Sequence, residues 1–117
     1  MFEKSYEKKK TLGLGLLKGE FKLLKNKDNS LHVGWNSCEI KKKNKIFKGI
    51  KNLTDFYFCH SYILKNFNEK DVITFTKYNK EFPSSVSKKN IYGVQFHPEK
   101  SQDNGLKVIK NFSELLC

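Results

Sequence analysis

One short stretch limits what this chain can become: Asn90 to Gly105, NIYGVQFHPEKSQDNG. Ile91, Val94 and Phe96 are apolar and Tyr92 is aromatic, which predicts a buried strand of about five to seven residues. The strand has to stop at His97-Pro98, because proline lacks an N–H and cannot extend a central ladder. Glu99 follows at once, so an imidazole and a carboxylate two residues apart emerge together at a strand's end. Open α/β sheets carry their chemistry at that position. A histidine held by a carboxylate is half of the usual apparatus for activating a nucleophile, the base taking the proton and the acid fixing its tautomer. On composition alone an isolated H-P-E is an exposed turn.

Length bounds the rest. The 117 residues are at most one domain with a modest core, and 38% hydrophobic with 14% aromatic content argues for a folded chain. No apolar run reaches membrane-spanning length, and the opening residues show no secretory signal. Cys38, Cys59 and Cys117 are odd in number and lack C-x-x-C spacing, which disfavours a disulfide framework or a zinc site and fits a reducing cytoplasm. The net charge of +11 raises the question of nucleic acid. All 23 basic residues are lysines spread along the chain, with none of the arginine that base readout and bidentate phosphate contacts favour. With 11 asparagines and 10 phenylalanines, the bias resembles that of an AT-rich coding sequence, and the lysines read as solvated surface.

Four ordered blocks carry a resemblance. They are Gly13-Leu14-Gly15-Leu16-Leu17-Lys18-Gly19, His32-Val33-Gly34-Trp35-Asn36, Phe56-Tyr57-Phe58-Cys59-His60-Ser61-Tyr62, and Gly93-Val94-Gln95-Phe96-His97-Pro98-Glu99-Lys100-Ser101. Together they resemble the class I glutamine amidotransferases, and within these the glutaminase subunits of imidazole glycerol phosphate synthases. The resemblance implies the C-terminal portion of that α/β fold, a mixed sheet with flanking helices, as one incomplete domain over residues 1–117. It implies glutamine as substrate, no cofactor or metal, and a cyclase (synthase) partner that receives ammonia for histidine biosynthesis. His97 and Glu99 become the catalytic pair, and His60 a supporting residue. His32, Trp35 and Asn36 become candidates for the subunit interface, and Lys100 and Ser101 are expected to face that partner. From the residues alone, Trp35 reads as core and His32 as a hydrogen-bonded structural histidine. A paralogous amidotransferase that supplies ammonia for amino sugars of surface polysaccharides fits the same motifs. A basic nucleic-acid-binding protein is the outside alternative.

The family's nucleophile sits in a G-x-C-x-G turn, and no such turn occurs in the sequence. The expectation is a chain that begins just past that turn, either a partial product or half of a split enzyme with a separate N-terminal partner, and hydrolyses no glutamine alone. Cys38 and Cys117 lack the strand–turn–helix context of an activated thiol. Adjacent Cys59 and His60 cannot form a dyad, because successive strand side chains point to opposite faces. Cys59 is expected in the core.

In chain order, Phe2 and Tyr6 are spaced like the tail of a helix. Thr11 to Gly19 reads as loop or irregular strand, Glu20 to Lys25 as a strand, and residues 26–30 as a turn. Leu31 to Asn36 reads as a strand, and Ile46 to Ile50 as a helical turn. Strands follow over Thr54 to Tyr62, Asp71 to Tyr78 and Phe82 to Ser87, with Pro83 at an edge or bend. Val108, Ile109, Phe112, Leu115 and Leu116 fall at helical spacing over Gly105 to Leu116, which predicts an amphipathic helix packed on the sheet.

Overall fold

The computed structural model describes residues 2–5, 11–12, 17–23, 31–78 and 80–115. Nine strands lie among them: β1 (Phe2–Ser5), β2 (Thr11–Leu12), β3 (Leu17–Leu23), β4 (His32–Ile40), β5 (Thr54–His60), β6 (Tyr62–Lys65), β7 (Val72–Tyr78), β8 (Lys80–Lys88) and β9 (Ile91–Val94). One α-helix, α1 (Gln102–Leu115), and three 3-10 turns complete the described residues. The strands form a four-stranded sheet in the order β2-β1-β3-β6 and a five-stranded sheet in the order β5-β4-β7-β8-β9. The β1–β3 pair is parallel and the other described pairs are antiparallel, a mixed α/β arrangement.

Phe2–Ser5 is a strand and not the end of a helix. Positions four apart share a face in a strand as well as in a helix, so the Phe2–Tyr6 spacing could not separate the two; Tyr6 itself lies outside the described residues. The turn cluster at 26–30 and Gly13 and Gly15 also lie outside them. Gly19 falls inside β3, at φ 151° and against the Leu64 side chain. Lys45–Phe47 forms the helical turn expected near Ile46, capped by the Asn44 side chain accepting from the Ile46 N–H.

The five-stranded sheet and α1 enclose a core dominated by aromatic rings. Phe56, Phe58 and Phe82 are fully buried, and Phe56 stacks on Phe96 with ring centres 4.3 Å apart. Removing any of these rings would cost about 3–5 kcal/mol. Pro83 sits where the β7–β8 register slips, Thr74 facing Ser85 and Phe75 facing Pro83. The β8–β9 ladder covers Ser85 to Lys88, so the missing proline N–H falls outside it. The α1 stripe divides on folding: Val108 is buried and Leu115 packs on the core, whereas Ile109 and Phe112 stay exposed.

Candidate active site

β9 ends at Val94, Gln95 prolongs the pairing through its N–H to the Ser84 carbonyl, and Phe96 plugs into the core. His97 is past the end of β9, and Pro98–Lys100 turns the chain into α1. His97 Nδ1 lies 3.3 Å from Glu99 Oε2, with the imidazole about one-third exposed and the carboxylate more so. The Glu99 backbone amide first, and then the His97 ring, hold the Glu99 carboxyl below its usual range. A carboxylate only accepts, so Nδ1 carries the proton and donates. Nε2 has no hydrogen-bond partner among the described residues. The arrangement can take or give a proton at Nε2 while Glu99 holds the ring's other side.

The pleat divides the remaining residues. In β4, Val33 and Trp35 lie on the exposed face, and His32 and Cys38 are buried on the other. Trp35, read as core from its residue type, is 48% exposed and meets Tyr57 edge-on at 6.0 Å. His32, a candidate for the subunit interface, is 2% exposed and lies between Tyr78 and Phe58 at 4.2 and 4.9 Å. Asn36, the third interface candidate, turns inward. It donates from Nδ2 to the Lys77 carbonyl at 2.9 Å and reaches His32 Nε2 at 3.3 Å.

In β5, Phe56, Phe58 and His60 point inward, which leaves Cys59 exposed and not in the core. His32 Nδ1 and His60 Nε2 are 2.9 Å apart, and His60 Nδ1 donates to the Tyr62 carbonyl at 2.9 Å. The Tyr62 carbonyl, which only accepts, and the Asn36 amide N–H, which only donates, together set the direction of the whole chain: Asn36 N–H to His32, His32 N–H to His60, His60 N–H to Tyr62. Both rings are therefore neutral. Burial, and then proximity to His60, pushes His32 down to about 4. Burial also lowers His60, on which the charge of His97 acts in the same direction. Cys38 is buried beneath the Thr76 hydroxyl, and burial pushes its thiol up, which disfavours a thiolate.

Lys100 is exposed beside the pair, whereas Ser101, expected to face a partner, is 2% exposed. Its hydroxyl accepts from the Tyr57 N–H at 2.9 Å and donates to the His97 carbonyl at 2.6 Å. Sequence reasoning missed the inward role of Ser101, because its partner strand lies 44 residues away. No cluster of three or more His, Cys, Asp or Glu able to hold a metal ion occurs among the described residues. Nor is any described helix long and apolar enough to cross a membrane.

Residues 10–115 match the family described as glutamine amidotransferase class-I. The chain is similar to the imidazole glycerol phosphate synthase subunit HisH of Methanocaldococcus jannaschii, with 47% identity over 116 residues, 99% of this chain and 59% of that protein. It is also similar to the subunit of that name from Pyrococcus furiosus, at 48% identity over 98% of this chain and 59% of the relative. Subunit HisH 1 of Methanococcus maripaludis is 48% identical over 99% of this chain and 57% of its own length. The chain thus spans 57% to 59% of these curated relatives.

Proposed function

The chain belongs to the class-I glutamine amidotransferases, and from that membership we propose that it carries the proton-handling part of a glutaminase subunit of imidazole glycerol phosphate synthase. The observation that carries the reading is the 3.3 Å His97–Glu99 pair at the end of β9, with no partner for Nε2 among the described residues. The names of the similar proteins support the same assignment.

In this reading a cysteine thiolate, paired with protonated His97, attacks the carboxamide carbon of glutamine. The His97 Nε2 proton passes to the nitrogen, the C–N bond breaks and ammonia leaves, so a thioester and a neutral imidazole remain. His97 next takes a proton from water as the oxygen attacks the thioester. Collapse releases glutamate and restores the thiolate–imidazolium pair. Glu99 keeps Nδ1 protonated throughout and stabilises the imidazolium. No G-x-C-x-G turn occurs in the 117 residues, so the thiol in this scheme is supplied from outside them. Ammonia passes to the synthase subunit, which docks over Trp35 and Lys100, the exposed members of the expected interface.

The test is glutamate formation by the 117-residue chain alone and after assembly with a thiol-bearing segment and a synthase subunit. The chain alone is expected to release no ammonia, and the assembly to release it. His97→Ala lowers kcat about 10³-fold or more and Glu99→Gln about 10²-fold, within the span of general acid–base catalysis. Ammonia release that survives His97→Ala unchanged overturns the proposal.

A further inference from the structure

We propose that Ser101 is the positioning residue that aims His97, through a closed ring of hydrogen bonds tying the turn after β9 to the free edge of β5. The ring stands on geometry alone; its catalytic consequence rests on the glutaminase reading. β5 is an edge strand, and Tyr57 faces Trp35 of β4 across the ladder. A residue's N–H and C=O lie on the same side of its strand, and on an edge strand the outward ones are left unpaired.

Here both Tyr57 groups are taken. The His97 N–H donates to the Tyr57 carbonyl at 2.8 Å, and the Tyr57 N–H donates to Ser101 Oγ at 2.9 Å. The Ser101 hydroxyl closes the ring on the His97 carbonyl at 2.6 Å. Both backbone groups of His97 are thereby held, and Glu99 sits within the same turn. A hydroxyl accepts and donates through a single atom, and the site admits little more. A Cβ added at Gly105 would lie 2.8 Å from the Ser101 Cβ and 1.9 Å from the Pro98 oxygen.

The test compares wild type, Ser101→Ala and Ser101→Cys, with folding checked by thermal melts. In the 117-residue chain, the ring-nitrogen chemical shifts of His97 report whether Nδ1 keeps its bond to Glu99. That bond is expected to be lost in Ser101→Ala and weakened in Ser101→Cys. In the thiol-bearing, synthase-bound assembly, kcat falls about 10–10²-fold in Ser101→Ala, with an intermediate value for Ser101→Cys, while KM stays within about twofold. Wild-type ring shifts in a folded Ser101→Ala chain overturn the proposal. Should that variant not fold, wild-type shifts in Ser101→Cys overturn it equally. A wild-type assembly that releases no ammonia defeats the glutaminase reading, and the ring shifts still decide the clamp.

Discussion

The three histidines of this chain occupy two opposite environments. His32 and His60 form a buried relay in which every ring nitrogen has a partner and the last proton ends on a backbone carbonyl. His97 is part-exposed, is held on one side by Glu99, and has no partner at Nε2 among the described residues. On the proposed reading, what suits an imidazole to proton transfer is a nitrogen left over after the described residues have used the others. Adjacency to a cysteine or to another histidine adds nothing when the nitrogens are already committed.

The two environments should respond oppositely to truncation. His97→Ala is expected to leave the melting temperature nearly unchanged while removing about 10³ or more of kcat from the assembled enzyme. His32→Ala should unfold easily, losing about 3 kcal/mol from the cavity and the stranded His60 nitrogen, as read by urea melts. Equal effects on stability would abolish the distinction.

Acid separates them further. His32 titrates near 4 when folded and near 6.5 otherwise, so between those values the unfolded chain binds more protons. The contribution of His32 to stability is whole above pH 6.5 and is lost as the pH falls through 4, up to about 3 kcal/mol. Urea melts at pH 7 and pH 4.5 measure it, and His32→Gln should flatten the slope. A smaller contrast lies within β4. Trp35→Ala is expected to weaken synthase-subunit docking by about 2 kcal/mol in titration calorimetry, with about 0.5 kcal/mol lost from the chain itself. The smallest effect is at Lys89, which has φ 56° in the two-residue turn between β8 and β9. Lys89→Gly should raise stability by about 0.5 kcal/mol, as read by urea melts.

Much of this was readable in the residues, and the failures have a common cause. The His-Pro-Glu stop, the period of β5 and the helical spacing of α1 are local patterns, although the helix begins at Gln102 and not at Gly105. Period two correctly puts Cys59 and His60 on opposite sides of β5 but does not say which side is inside; the matching parity of Phe56 and Phe58 does. β4 inverts the usual rule, showing Val33 and Trp35 to solvent and hiding His32. A polar residue can be buried this way once each of its nitrogens is satisfied, and for His32 that takes His60 as well as Asn36, the former 28 residues away. The short strand Tyr62–Lys65 was missed for a similar reason: it leaves the sheet of β5 and pairs with β3, a partner some forty residues upstream.

Gly105 gives the contact between α1 and the turn a mechanical meaning. With no side chain between helix and Pro98 carbonyl, there is no cushion at the joint. A side chain at position 105 would meet the Pro98 carbonyl and the Ser101 Cβ at once, so only glycine lets α1 seat this closely on the turn that carries the imidazole.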